Sequence, residues 1–168
     1  MNERFRIEPL TAKHDRKVFY CDVDVLNGYF YQQVSQDVRR RITACYVVIE
    51  VKTNRIAGYY TLAASSIALD DMPDVLAKRL PYYRAVPVAR LGRLAIDNEF
   101  RGIGLGAALL WDAVMRSIRS EIAVFALVVD AKDEQAISFY RHHGFFEFGS
   151  LQNHLLLPLT NRLLQNFH

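Results

Sequence analysis

The sequence has few cysteines, no long apolar run and no large excess of charge of either sign. Cys21 and Cys45 are the only cysteines among 168 residues and form no Cys-x-x-Cys pair, which argues against a disulfide framework and a zinc site. The five histidines likewise show no metal-ligand spacing. No stretch approaches the roughly 20 apolar residues of a membrane span, and the first nine residues carry charges where a signal peptide is apolar. We therefore expect a cytoplasmic protein without a bound metal.

The composition indicates one soluble globular domain. Hydrophobic residues make up 51% of the chain, and no linker or internal repeat divides it, so we predict a single domain over residues 1–168. The formal net charge of +3 permits an anionic partner, but it is too small to require nucleic acid.

The first half of the chain has the pattern of a helix followed by strands. Apolar residues recur every four positions from Leu26 to Val38, which predicts an amphipathic helix. Two β-rich runs, ACYVVIEV and IAGYYTLAAS, are separated by four residues of turn composition and predict a hairpin. DDMPDVLAKRL predicts a short helix with Pro73 in its first turn.

The second half alternates strands and helices. VARLGRLAID predicts a third strand, and AVFALVVDA is almost continuously apolar, as expected of a central strand buried on both faces. A helix is predicted after each of these strands. The first, over residues 107–118, has one apolar side. The second, EQAISFYRHHGF, ends at Gly144, which can adopt a left-handed cap conformation. The tail has the composition of one or two more strands. The order predicts a mixed α/β fold around a central sheet.

Three glycines, Gly102, Gly104 and Gly106, stand directly before an apolar run. The N-terminus of a helix exposes unpaired N–H groups and binds phosphate when no side chains obstruct it, although such glycines can also serve chain geometry alone. Gly102-x-Gly104-x-x-Ala107 fits a loose dinucleotide-binding pattern, but the next strand ends at Asp130, too far for the expected ribose-binding acid. A P-loop is excluded because no Lys-Ser or Lys-Thr follows the last glycine.

Arg101-x-x-Gly104-x-Gly106 resembles the acyl-CoA diphosphate loop of the GNAT superfamily of N-acetyltransferases. The order of strand, glycine loop, helix, strand and FYRHHGF is similar to that superfamily as well. The resemblance implies the GNAT acyl-CoA N-acyltransferase fold, an α/β fold with a central mixed, mostly antiparallel sheet flanked by helices, and acetyl-CoA as co-substrate. The coenzyme-binding residues that it implies are Leu94, Ala95, Ile96, Arg101, Gly102, Ile103, Gly104, Leu105, Gly106 and Ala107.

The same resemblance places a tyrosine beside the coenzyme's sulfur, and Tyr140 is that residue here. A phenol next to sulfur can protonate the departing CoA thiolate. The alternative is a purely structural role, because Ala136 and Ile137 lie one turn earlier and the ring could simply pack in the core. The thioester carbonyl also needs a donor, and a backbone N–H of the central strand could supply it.

Longer runs resemble the acetyltransferase toxins of type II toxin–antitoxin systems, and these runs extend over nearly the whole chain. They are CYVVIE, IAGYYTLAASSI, VPVARLGRLAID, LGAALLWDAV and ALVVDAKDEQAISFYRHHGF. Those toxins acetylate the α-amino group of aminoacyl-tRNA, which inhibits translation, and a ribbon-helix-helix antitoxin neutralises them. The resemblance implies the same substrate and partner here, a homodimer, and contact with operator DNA only through the antitoxin. Arg101 departs from the glutamine that those toxins often have.

The acceptor chemistry agrees with this assignment. A free α-amine titrates near 8, and the adjacent ester of an aminoacyl-tRNA lowers that value further, so much of the amine is neutral without an enzyme base. A lysine amine near 10.4 would require such a base. Two alternatives remain open: acetylation of a small amine or a protein N-terminus, and an inactive chain that acts with an antitoxin as a co-repressor.

Basic residues are concentrated before and around the glycine loop. Arg84, Arg90 and Arg93 are candidates for phosphate contacts with tRNA, with solvated surface charge as the alternative. Arg90 and Arg93 should face opposite sides of a strand unless a bulge at Gly92 intervenes. The triplet 39–41 is best explained as a favourable cap of a helix C-terminus, with tRNA or antitoxin contact as the alternative.

Overall fold

A computed structural model describes residues 3–78, 80, 84–151 and 153–160. The strands are β1 Phe5–Pro9, β2 Ala44–Glu50, β3 Arg55–Ala68, β4 Ala85–Ile96, β5 Ala126–Asp130, β6 Phe146–Glu147 and β7 His154–Pro158. The helices are α1 Asp24–Gln32, α2 Val34–Arg39, α3 Asp74–Ala77, α4 Leu105–Ile118 and α5 Glu134–His142, with short 3-10 turns at Leu69–Asp71 and Asn98–Phe100.

The strands form a sheet in the order β1-β2-β3-β4-β5-β7-β6. β2 is antiparallel to both β1 and β3, β7 is antiparallel to both β5 and β6, and β4 is parallel to β5. The predicted mixed, mostly antiparallel α/β class is therefore confirmed. The chain forms two compact units, residues 1–63 with 92–113 and residues 64–91 with 114–168, and the assignment of one domain to residues 1–168 stays a prediction.

The core of the first unit is built on stacked aromatic rings. Phe30 stacks on Tyr59 with ring centroids 4.2 Å apart, and Phe19 packs edge-on against both. Cys21 and Cys45 lie in the same core, with 2% and 4% of their surface exposed. Burial raises the pKa of the Cys45 thiol to about 12. Both cysteines are free thiols that behave as small apolar residues.

The predicted hairpin is confirmed, whereas the predicted helix over 26–38 is interrupted. β2 and β3 pair antiparallel from Ala44 with Leu62 to Glu50 with Arg55. The helical segment is divided into α1 and α2 at Gln33, whose φ of −116° departs from the regular helical value while its ψ of −34° does not. Apolar spacing predicts the buried side of both helices but carries no information about the backbone angle at one residue.

The second unit confirms most of the predicted elements and corrects one. Its core contains residues of β4, β5 and β7 around Val88, Val128 and Leu156. The prediction of Pro73 within the first turn of a helix is wrong, because its extended ψ of 141° makes it the residue before α3. α5 is capped at its start by Asp133, whose carboxylate accepts from the Ala136 N–H at 2.8 Å. Gly144 follows it with φ +95°, as predicted.

Candidate functional site

β4 continues beyond its last pair with β5. The paired register runs from Val88 with Ala126 to Leu91 with Val129, and β4 extends five residues further, to Ile96. The backbone of Leu94, Ala95 and Ile96 thus lies past the part of β4 that pairs with β5.

Gly58 on β3 allows β3 and β4 to approach closely near Ala95. A Cβ built at Gly58 would lie 2.8 Å from the Ala95 carbonyl oxygen, so any larger residue there would displace β4.

Asp97, which follows β4, fixes the turn that leads to the glycine loop. The residue is 2% exposed, and its carboxylate accepts hydrogen bonds from the backbone N–H groups of Glu99 at 2.9 Å and Tyr20 at 3.0 Å. Its own N–H donates to the Ala57 carbonyl at 2.8 Å. Asp97 therefore ties the 19–22 segment and β3 to the start of the loop.

Sequence reasoning missed Asp97. The available signal was an acid at the end of an apolar strand, directly before a turn-forming asparagine, which is a common side-chain cap of a following turn. The partner at Tyr20 is 77 residues away in the chain, and local spacing does not reveal such a contact.

We expect Asp97→Asn to lower the free energy of unfolding by about 1–3 kcal/mol, because an amide NH₂ would replace one acceptor oxygen and face a backbone N–H. Urea denaturation measures this change. Asp24→Asn provides a matched control: Asp24 is an exposed residue of the first turn of α1, and the same substitution there is expected to change stability by no more than about 0.5 kcal/mol. Equal losses in both variants would contradict the role given to Asp97.

The glycine loop presents bare backbone at the start of α4. Gly102 and Gly104 have φ of +75° and +89°, and no atom lies within 4 Å of a Cβ built on either. The Ala108 N–H donates to the Gly104 carbonyl at 3.1 Å, in the pattern of a first α-helical turn. The N–H groups of residues 105–107 precede this bond and have no acceptor within the helix. These unpaired N–H groups give the start of α4 a partial positive charge, which favours the binding of an anion.

Arg101 stands exposed at the beginning of the loop. Its Nη1 lies 2.9 Å from the Asp22 carboxylate, which also accepts from the Asn98 side-chain amide at 2.8 Å. The guanidinium is thus held beside the glycines by an exposed carboxylate. Ile103, between the two positive-φ glycines, is 48% exposed.

Tyr140 lies on α5, in the second unit. It is 9% exposed, and its ring packs against Phe139 and Phe145 with centroids 5.2 and 5.4 Å away. Its backbone carbonyl accepts the N–H groups of His143 and Phe145 at 3.1 Å. Burial raises the pKa of the Tyr140 phenol to about 12. The hydroxyl is therefore protonated at neutral pH and can act as a proton donor.

The three arginines predicted to contact tRNA have different environments. The Arg93 guanidinium lies 3.4 Å above the centre of the Tyr29 ring. Arg90 forms an ion pair with Asp130 at 2.8 Å, whereas Arg84 is exposed. Cation–π stacking and ion pairing leave guanidinium N–H groups available to phosphate, so these assignments stay predictions.

Metal ligands and membrane-spanning helices are both absent from the described part of the chain. No group of three His, Cys, Asp or Glu side chains suited to a metal ion is found among residues 3–78, 80, 84–151 and 153–160. Within the same residues, none of the helices has the length and apolar character needed to cross a membrane.

Known proteins resemble this chain over most of its length. Residues 16–145 match the acetyltransferase (GNAT) family model. The tRNA-acetylating toxin of Mycobacterium tuberculosis is 32% identical over 150 residues, which cover 83% of this chain and 89% of that protein. A solved structure of AtaT complexed with acetyl-methionyl-tRNAfMet is 29% identical, with a TM-score of 0.89 and coverage of 98% and 99% of the two chains. A Tyr-to-Phe mutant of the AtaT toxin, bound to the C-terminus of the antitoxin AtaR and acetyl-CoA, is 27% identical, with a TM-score of 0.82 and coverage of 99% and 100%.

Proposed function

This chain belongs to the GNAT acetyltransferase family, and we propose that it is a toxin that transfers acetyl from acetyl-CoA to the α-amino group of aminoacyl-tRNA and so inhibits translation. The observation that carries the choice of acceptor is the 32% identity to a tRNA-acetylating toxin over 83% of the chain. The similarity to AtaT in complex with acetyl-methionyl-tRNAfMet supports the same choice.

The proposed coenzyme site uses backbone more than side chains. The N–H groups of residues 102–107 would hold the diphosphate, because they stand at a helix start with no side chain in front of Gly102 or Gly104. Arg101 would add a charged, planar donor. The β4 backbone from Leu94 to Ile96 would supply hydrogen bonds to the pantetheine amides. Bound there, acetyl-CoA supplies a thioester that an amine can attack.

Tyr140 is the proposed proton donor of the reaction. The acceptor nitrogen forms a bond to the thioester carbonyl carbon and the carbon–sulfur bond breaks, so the leaving thiolate needs a proton. The Tyr140 hydroxyl can give that proton and recover one from the acetylated nitrogen, directly or through solvent. The phenol holds the proton at neutral pH, because burial raises its pKa above the ordinary value of 10.

The proposed partners follow from the same family. A ribbon-helix-helix antitoxin would neutralise this chain, operator DNA would be contacted only through that antitoxin, and the chain would act as a cytoplasmic homodimer. The similar complex of AtaT with the C-terminus of AtaR supports an antitoxin partner.

The proposed function is tested by incubating the purified protein with labelled acetyl-CoA and total aminoacyl-tRNA. We expect label in the tRNA fraction that mild alkali releases as N-acetyl-amino acid, and none in deacylated tRNA. Free amino acids and N-terminal peptides serve as competing acceptors. Label in amines or peptides, with none in tRNA, would contradict the acceptor but not the enzyme class. No transfer to any acceptor would favour a co-repressor.

A further inference from the structure

The end of α2 carries three consecutive arginines, Arg39, Arg40 and Arg41, and all three are exposed. Within residues 3–78, 80, 84–151 and 153–160, none of the three forms an ion pair with an acid. Three positively charged side chains at adjacent positions are therefore exposed to solvent. We call residues 39–41 the α2 arginine cluster.

The backbone at Arg41 has the left-handed conformation that usually selects glycine. Arg41 has φ +60°. The Ile42 N–H donates to the Asp37 carbonyl at 2.9 Å and the Arg41 N–H to the Val38 carbonyl at 3.1 Å. These two bonds define a Schellman motif, in which the position of Arg41 is normally Gly and sometimes Asn. The chain thus keeps an arginine where its side chain makes the backbone less favourable.

Attraction to the helix C-terminus explains only part of the cluster. A cation in the last turn is stabilised by the helix dipole, and this accounts for Arg39, the last residue of α2. It does not require arginine at the left-handed position, where a glycine would complete the same cap. The cap therefore leaves the exposed arginine at this disfavoured position unexplained.

The cluster shares its electrostatic surroundings with Arg93. Arg93 stacks on the Tyr29 ring, and the Tyr29 hydroxyl donates to the Asp37 carboxylate at 2.8 Å. The pKa of Asp37 is lowered by hydrogen bonds from Gln33 and Tyr29 and by the charges of Arg93 and Arg40. Arg93, a candidate tRNA contact, and Arg40 of the α2 cluster therefore act on the same carboxylate. Asp37 is already satisfied by two donors.

We propose that the α2 arginine cluster binds backbone phosphates of the tRNA. This inference rests on the proposed function and adds a contact surface to it. The cluster is complementary to a polyanion, because three adjacent exposed cations meet a backbone that carries one negative charge per phosphate. A protein partner fits less well: protein interfaces bury an apolar core, whereas the cluster is a run of three charged residues followed by one exposed apolar residue, Ile42.

The first experiment replaces Arg39, Arg40 and Arg41 together by glutamine. We expect KM for aminoacyl-tRNA to rise at least about 10-fold near 0.15 M salt, with KM for acetyl-CoA unchanged. The slope of log Kd against log salt should fall by roughly 0.7–0.9 for each phosphate that the variant no longer neutralises. Replacing Lys13, Lys17 and Lys52 together by glutamine is the control for net charge, since all three are exposed residues of the same unit and this variant also loses three positive charges.

The second experiment separates charge from folding. Arg41→Gly removes one charge and the left-handed strain together, so we expect Tm to stay the same or rise by up to about 3 °C while tRNA binding weakens. Asn54→Gly is the matched control, because Asn54 has φ +58° in the same unit and no charge. It should leave tRNA binding unchanged. A loss of tRNA affinity with no loss of stability cannot be attributed to misfolding.

The outcomes distinguish this proposal from the proposed function. A wild-type protein that acetylates no aminoacyl-tRNA contradicts both. A wild-type protein that acetylates tRNA, with the same KM and salt slope in the triple variant, overturns the proposal for the cluster alone. Weaker binding of the antitoxin encoded beside the gene, with tRNA binding intact, also overturns it and assigns the cluster to a protein interface.

Discussion

Replacing Tyr140 by phenylalanine is expected to lower kcat for acetyl transfer by roughly 10²–10⁴-fold, the usual contribution of a positioned proton donor. The ring contacts with Phe139 and Phe145 remain, so the fold and the affinity for acetyl-CoA should not change. Steady-state transfer of labelled acetyl to aminoacyl-tRNA gives kcat, and calorimetric titration gives the affinity for acetyl-CoA. In cells, the substitution should relieve growth arrest caused by expression of the protein.

The pH dependence sharpens this test. A donor must be protonated to act, and burial raises the pKa of Tyr140 above its ordinary value of 10, so its ionisation should cause no loss of activity over the pH range in which the aminoacyl ester is stable. A rise in rate below pH 8 would instead report deprotonation of the acceptor amine. Tyr20→Phe is the control, because Tyr20 is 53% exposed. If Tyr140→Phe were as active as Tyr20→Phe, the role of Tyr140 would be limited to packing in the core.

The second large effect is expected from Gly104→Ala, which should raise KM for acetyl-CoA about 10–100-fold, equivalent to about 1.4–2.8 kcal/mol of binding energy. Gly104 has φ +89°, and a Cβ there would enter the open space in front of the loop. The substitution therefore strains the backbone and obstructs the proposed diphosphate position. Calorimetric titration with acetyl-CoA measures the affinity, and steady-state kinetics measures KM.

Gly149→Ala is the control for backbone strain. Gly149 also has positive φ, +68°, but belongs to the second unit. A Cβ added there would lie 3.9 Å from the Asp71 side chain, its nearest neighbour. Both variants should lose stability by about 1 kcal/mol or more. Only Gly104→Ala should lose coenzyme affinity, and unchanged affinity in that variant would contradict the diphosphate assignment.

The sequence predicts the elements of this fold that depend on local pattern. The β2–β3 hairpin follows from two β-rich runs around a turn, and the end of α5 follows from Gly144. The break at Gln33 and the position of Pro73 before α3 depend on single backbone angles. Apolar periodicity does not specify such angles.

The candidate site, too, is predictable from the sequence only where it depends on local pattern. The glycine motif predicts an open loop at residues 102–106, and in the structure two of its glycines have positive φ. The contacts that hold this region join residues far apart in the chain, namely Asp97 with Tyr20, Asp22 with Arg101 and Arg93 with Tyr29. They arise from tertiary packing, which a single sequence without homologues does not reveal.

The burial of both cysteines has a practical consequence for measuring turnover. Acetyl transfer liberates free CoA, whose thiol can be followed continuously with a disulfide reagent such as dithionitrobenzoate. Cys21 and Cys45 are almost inaccessible, and the Cys45 thiol scarcely ionises below pH 10. The folded enzyme should therefore contribute almost no background colour, and each equivalent of chromophore would report one catalytic event.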